Sequence, residues 1–289
     1  MVDNPRFPPE LEREIFELLA WNNVDTEARN LLVVAKRVHK WIEPLIYRVI
    51  FYYRFPRRSA PPPLPALKEL CLTHHITPRI VKLCSYAHKV LLHSMSVDDV
   101  AKLLPLCSEA KEVALWLLNR DQNYHVLQPL LPKSVQRLSV NLSHLFNNKA
   151  FEFKPAVLRN ITHLDVIALS EDFWKSEWKN FRRLTNLTHL AIDPPPATRG
   201  TIVGGILEDT IAFKNLHILL VLSTDAKPTV DSPSVYANDP RYVQMATLTY
   251  PIEHWILGAR NGKDIWHTAE KLKQGLLTID DLAKEVPYF

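Results

Sequence analysis

Two segments, Asn160-Ile-Thr-His-Leu-Asp-Val166 and Asn186-Leu-Thr-His-Leu-Ala-Ile192, are near copies set 26 residues apart. Each carries the pattern aliphatic-x-x-aliphatic-x-aliphatic, as Ile161/Leu164/Val166 and Leu187/Leu190/Ile192. The last two aliphatic positions are two apart, which places them on one face of an extended strand. Working outward, the same template recurs as Leu67/Leu70/Leu72, Ala87/Val90/Leu92, Ala110/Val113/Leu115, Val135/Leu138/Val140 and Leu216/Leu219/Val221. Successive starts are 20, 23, 25, 26, 26 and 29 residues apart. Such a template is weak in a chain rich in aliphatic residues, but a lead-in recurs with it: Leu158-Arg-Asn160, Leu184-Thr-Asn186, Phe213-Lys-Asn215 and, more loosely, Leu131-Pro-Lys-Ser134. Between the motifs lie amphipathic stretches such as the one opened by Ser96-Val-Asp-Asp99, a capping box. Strand, turn and helix alternating at this period predict an α/β array with a curved parallel sheet.

The small residues agree. The chain of 289 residues has 6 Gly and 22 Pro, against usual shares of about 7% and 5%. No proline falls inside any of the seven motifs, as ladder strands require, and five of the six segments between them contain one. The glycines, at 200, 204, 205, 258, 262 and 275, spell no G-x-G-x-x-G. Gly258-Ala-Arg-Asn-Gly262-Lys263-Asp264 is one residue short of a P-loop and has Asp where Ser or Thr should meet magnesium. Backbone cradles for phosphate are thereby excluded.

The remaining composition is that of a globular protein: 23% charged, 47% hydrophobic, net charge +4. So small a charge implies no nucleic-acid partner. The longest aliphatic run, near Leu216 to Leu222, is far short of the ~20 residues that cross a bilayer, and the N-terminus has no signal layout. No membrane association is expected. Cys71, Cys84 and Cys107 read as reduced thiols, so the expected location is cytoplasmic, nuclear or both.

Ahead of the repeats, Pro8 and Pro9 open a helix whose apolar face is Leu11, Ile15, Leu18 and Leu19. A second helix carries Ala28, Leu31, Leu32 and Ala35, and a third apolar set runs from Val38 through Trp41, Ile42, Leu45 and Ile46 to Val49. A basic, proline-rich stretch follows. The expected plan is a helical domain over 1–53, a linker over 54–65, repeats over 66–250 and a C-terminal helical cap over 251–289. An eighth, poorer strand is expected at Met245/Leu248/Tyr250, with the cap covering the open end of the repeat core. Thr278-Ile-Asp-Asp281 reads as the cap of a last short helix.

Phe7-Pro-Pro-Glu-Leu11, Ile15-Phe16, Leu18 and Val34-Ala-Lys-Arg37 with Trp41 resemble an F-box, with Phe7 in place of the opening Leu and Ala35 in place of a Cys. The repeats resemble leucine-rich repeats, and the whole chain resembles a divergent fungal-type F-box-like family. The Asn expected after the third aliphatic residue is missing in every repeat, where His75, Met95, Leu118, Ser143, Leu169, Pro195 and Thr224 stand instead, so no asparagine ladder is expected there. The resemblance implies a non-enzymatic substrate receptor of a cullin-type ubiquitin ligase. Its helical box would dock on a Skp-type adaptor, with Pro8, Pro9, Leu11, Ile15, Phe16, Val34, Val38 and Trp41 shared between the box core and the adaptor contact.

Strand alternation supplies a second surface. Residues between the aliphatic positions face the other side of the sheet, among them Glu112, Trp116, Arg137, Ser139, His163, Asp165 and His189. They are the expected contacts for an unknown protein substrate, Trp116 and Arg137 foremost because those types dominate binding hot spots. His163 and His189 occupy one repeat position, about 5 Å apart across neighbouring strands. A metal or acid–base pair there is the enzymatic alternative, and a plain scaffolding array is the structural one. No catalytic residue, metal or cofactor is expected, since no G-x-S-x-G or H-E-x-x-H occurs.

Overall fold

A computed structural model describes residues 7–22, 27–53, 65–116, 124–142, 145, 158–167, 173–174, 177–223, 236 and 238–278. Val-Ile-Phe-Tyr-Tyr, Val49–Tyr53, is an unbroken apolar run, as a parallel strand covered on both faces should be. It forms β1. Seven strands follow: β2 Lys89–His93, β3 Glu112–Trp116, β4 Arg137–Val140, β5 His163–Val166, β6 His189–Ile192, β7 Ile218–Ser223 and β8 Tyr242–Ala246. They make one open, eight-stranded sheet in chain order, every neighbouring pair parallel. The register aligns Val90, Val113, Leu138, Leu164, Leu190 and Leu219, the middle aliphatic residue of six of the motifs.

Three expectations about the strands need correction. Leu67/Leu70/Leu72 is not a strand but part of helix α4, Pro65–Thr73. There the helical period buries Leu67 and Leu70 and leaves Leu72 82% exposed. The first strand is Val49–Tyr53, so the sheet begins before the proline-rich stretch, and the 1–53 helical unit ends in a strand of the array. The last strand is Tyr242–Ala246, three residues ahead of the expected motif, because Leu220 and Leu222 of β7 pair with Val243 and Met245.

Helices α1 (Pro9–Asn22), α2 (Glu27–Leu31) and α3 (Lys36–Ile46) precede β1 and pack around Ala20, Ala28, Val38, Ile42 and Ile46. On the back of the sheet lie α4, α5 (Pro78–Cys84), α6 (Val97–Leu103), α7 (Pro196–Glu208) and the 3-10 turns Tyr124–Leu130 and Glu177–Arg183. Their apolar residues join the aliphatic ladder in one core, from Ile50 to Val221. Ser96 caps α6 as its sequence predicts, accepting from the Asp99 amide at 3.2 Å. Residues 143–144, 146–157, 168–172 and 224–235 and most of the expected linker lie outside the described residues, as does the expected helix after Thr278.

The lead-ins have a geometric cause. Strands β2 to β7 are each entered through a turn in which the first aliphatic amide of the motif bonds the carbonyl three residues back: Ala87 to Cys84, Ala110 to Cys107, Val135 to Pro132, Ile161 to Leu158, Leu187 to Leu184, Leu216 to Phe213. An asparagine ladder exists at this position, ahead of the strands instead of after them. Asn160, Asn186 and Asn215 donate through Nδ2 to the carbonyls of Lys133, Arg159 and Thr185 at 3.0, 2.7 and 2.8 Å, and Ser134 Oγ reaches back to Ser108.

Helices α8 (Pro251–Asn261) and α9 (Ile265–Lys273) do not close the end of the core. They lie across the front of the sheet, α8 packing Ile252 and Ile256 on Phe51, Tyr53, Leu91 and Ala114, and α9 packing Trp266 and Ala269 on Ala191, Ile218, Leu220, Val243 and Met245. The sheet is therefore the middle of three layers. Among the described residues no helix is long and apolar enough to cross a membrane.

Candidate functional site

The front face has two informative rows. The first, set by the start of each strand, reads Val49, Lys89, Glu112, Arg137, His163, His189, Ile218. Side chains stacked at strand spacing must alternate in sign or pair elsewhere. Lys89 Nζ lies 3.2 Å from Glu112, Arg137 lies 3.9 Å from Glu112 and 2.5 Å from Asp264, and His189 Nε2 lies 3.1 Å from Glu270. The carboxylate of Asp264, just before α9, and that of Glu270, within it, meet this row, which so holds the C-terminal helices through an ion pair at Arg137 and a polar contact at His189. Asp264 also caps α9, its Oδ1 accepting from the His267 amide at 2.9 Å.

His163 and His189 stack with ring centroids 4.1 Å apart, and Trp266 meets both edge-on at 5.3 and 5.6 Å. Burial pushes the His163 imidazole down to about 3, with the neighbouring His189 and Arg137 adding to it. Burial lowers His189 too, although the Glu270 carboxylate opposes it. The Nδ1 atoms lie 2.8 Å from the hydroxyls of Thr162 and Thr188. This is a packed aromatic triad, and among the described residues no group of three or more His, Cys, Asp or Glu side chains is placed to hold a metal ion. None of the three cysteines is in a disulfide.

The second row, two residues along each strand, reads Phe51, Leu91, Ala114, Ser139, Asp165, Ala191, Leu220. Its middle is small and holds the polar pair. Trp116 Nε1 donates to Ser139 Oγ at 2.8 Å, and Ser139 Oγ donates to Asp165 Oδ2 at 2.6 Å. Asp165 is thus bonded to Ser139, not to the histidine pair, and the serine is oriented toward a carboxylate without an intervening base. Burial pushes the Asp165 carboxyl up to about 6, the Ser139 hydroxyl working against it.

Ala114 is covered by Ile252 and Ile256 of α8 and Ala191 by Trp266 and Ala269 of α9, but between them the layer above Ser139 and Asp165 does not fill. A cavity of about 180 Å³ remains between the sheet and α8–α9. Trp116, Trp255 and Trp266 line it, with Asp165, Asp193, Glu112, Asp264, Arg137 and His254. A second, wider cleft of about 630 Å³ opens at the strand starts, where Lys89, Lys111, Arg48 and the stacked histidines line it. Trp266 and the ion-paired Glu112, Arg137 and Asp264 line both, and so stand between them.

All seven residues expected to contact a protein substrate are therefore brought together on one face, but α8 and α9 cover that face. Glu112 and Ser139 are each 8% exposed, and Trp116, Arg137, His163, Asp165 and His189 are half-buried. The surface is a lined cavity, not an open sheet. The sequence reading missed Asp264, Trp266, Glu270, Trp255 and Asp193. Asp264 followed by a Trp-bearing helix was visible as a cap signal, but nothing local encodes that this helix folds back across the sheet.

The residues expected in the adaptor contact divide. Val38 is fully buried, and Phe16 and Trp41 are half-buried against the same small core. Pro8, Pro9, Leu11, Ile15 and Val34 are exposed. Leu18 and Val33 extend the exposed apolar set, at 62% and 86%. Arg37 grips Glu12 through two nitrogens, at 2.9 and 2.7 Å, and so fixes the first turn of α3 beside the first turn of α1. No protein-family model matches the sequence, and no curated protein matches it.

Proposed function

We propose that the chain is an F-box-like substrate receptor of a cullin-type ubiquitin ligase, non-enzymatic, whose N-terminal helices bind a Skp-type adaptor and whose leucine-rich-repeat-like array recognises a protein substrate. The observation that carries the reading is the apolar row Leu11, Ile15 and Leu18 on α1. It stays exposed while the opposite side of the same three-helix unit buries Val38, Ile42 and Ile46. A helical start serving only to cap the first repeat would turn its apolar face onto residues 64–92. Here the contact with that segment runs through the ion pairs of Glu43 with Arg79 and Lys82 and through Tyr47, not through the apolar row of α1. Exposed apolar rows of this kind mark surfaces that a partner covers.

Co-precipitation of the full chain with a purified Skp-type adaptor tests the proposal. Association is expected, and the double substitution Leu11→Asp, Ile15→Asp should abolish it without unfolding the chain, since both side chains are exposed. A wild-type chain that fails to associate at micromolar concentration would remove the ligase role.

A further inference from the structure

The tryptophan-lined cavity lies outside the adaptor reading and has its own chemistry. Three indoles converge on about 180 Å³, the liquid volume of about six waters at ~30 Å³ each. Its carboxylates outnumber its cations. Glu112, Asp165, Asp193 and Asp264 face Arg137, the one arginine or lysine among its lining residues. That arginine is already committed to Asp264 and Glu112. His254 adds little positive charge, because burial lowers its imidazole. Asp165 is bonded through one oxygen to Ser139 and lines the cavity floor. Asp193 follows the end of β6 and is exposed, so a second carboxylate stands toward solvent.

An anion would meet four carboxylates here. A purely apolar guest would strip the remaining water from Asp165 and give nothing back. A bare ammonium needs several hydrogen-bond acceptors to replace its hydration. A methylated ammonium is weakly hydrated, attracted by indole faces, and needs only a carboxylate nearby to balance its charge. The short side chain of Ser139 on the cavity floor, between the covered Ala114 and Ala191, leaves room for such a group.

We propose that this cavity binds a compact methylated ammonium, with Trp116, Trp255 and Trp266 as its walls and Asp165 as its counter-ion. The group is the same in free choline and in a trimethylated lysine side chain. The site is independent of α1, so adaptor binding and cation binding fail separately.

Calorimetric titration of the full chain at neutral pH, with choline, with a short peptide carrying trimethyl-lysine and with the neutral choline isostere 3,3-dimethylbutan-1-ol, tests the proposal. At least one ammonium probe should bind, with the isostere at least about tenfold weaker. Binding of choline assigns a free small molecule as the source, and binding of the peptide alone assigns a modified protein. Asp165→Asn should weaken the bound probe about tenfold or more and leave the isostere unchanged. The proposal is overturned if neither ammonium binds at millimolar concentration, or if the isostere binds as well as choline. That contrast is made on the wild-type chain and does not depend on any variant folding.

Discussion

Glu43 of α3 and Lys82 of α5 form a 2.6 Å ion pair across the junction between the N-terminal helices and the strand array. Arg79 bonds the same carboxylate, and His39 Nε2 lies 3.3 Å from it. The Glu43 side chain is 2% exposed, so its charge depends on these partners. Burial alone would push the carboxyl up, but the hydrogen bonds and charges of Lys82 and Arg79 outweigh it and hold it down at about 2.

Glu43→Gln should therefore cost about 1.5–3 kcal/mol, the range for hydrogen bonds to a charged group, measured by urea unfolding at pH 7. A carboxyl with a lowered value stabilises the fold above its ordinary 4.5 and loses that contribution as pH falls toward about 2. The variant should lose less stability than wild type across that window. Equal acid sensitivity of the two chains would show that the junction is held by its apolar contacts alone.

The stacked histidines act in a higher window. His163 stays neutral down to about 3, whereas an unfolded histidine takes up a proton near 6.5. The unfolded state thus binds more protons between these values, and stability rises with pH there by about 1.4 kcal/mol per unit for each such group. Asp165 has the opposite sign. It is held up at about 6 against an ordinary 3.8, so the native state binds the extra proton and stability falls as pH rises between them. The two contributions nearly cancel over the overlap. His163→Gln should expose the Asp165 slope and Asp165→Asn the histidine slope, each shifting the pH profile by about 1.4 kcal/mol per unit in opposite directions. Parallel profiles for the two variants would mean that neither group keeps its native protonation state.

Much of the back of the sheet could be read from the sequence, because a strand packed on helices must repeat its aliphatic pair at every turn of the array. The pairs from Val90/Leu92 to Leu219/Val221 occupy their expected places for that reason. Leu67/Leu70/Leu72 satisfied the same template by chance, and Val49–Tyr53 escaped it because a run apolar on both faces has no alternation to detect. The candidate site was half legible. Its sheet side followed from alternation, but its other wall comes from Trp255, Asp264, Trp266 and Glu270, whose helices are held by contacts more than fifty residues distant in sequence. Periodicity is blind to such packing.

Gly258 is where that second wall is fixed. A Cβ there would lie 2.6 Å from the Asp264 Cα and 2.8 Å from its Cβ, a collision with backbone that no rotamer change relieves. The glycine lets the start of α9 pass against α8 and puts Asp264 within reach of Arg137. Gly258→Ala should push α9 off, costing about 1–3 kcal/mol as overpacking does, and should expose Trp266. A red-shifted tryptophan emission with a retained far-ultraviolet spectrum is the expected signature. Gly200→Ala is the control, since a Cβ there meets nothing within 4 Å. Unchanged emission in Gly258→Ala would mean that the α8–α9 turn absorbs the methyl.

Protons and the proposed ammonium compete for Asp165. Near pH 7.5 the carboxyl is ionised and available as counter-ion, whereas below about 6 it is protonated and its attraction is lost. Five other carboxyl or basic groups line the cavity with it: Glu112 and Arg137 from the sheet, Asp193 just past the end of β6, Asp264 at the start of α9 and His254 on α8. His254 takes up a proton only below the ordinary imidazole range. Burial raises Glu112 against the pull of Lys89 and Arg137, and raises Asp193 against Arg199, so both lose charge in the same direction as Asp165 on acidification. Choline affinity should therefore fall by up to about tenfold per pH unit below 6 and level off above 7. Asp165→Asn should bind weakly at both ends with a flattened profile. Wild-type affinity that does not change between pH 7.5 and 5 would place the bound cation away from this carboxylate.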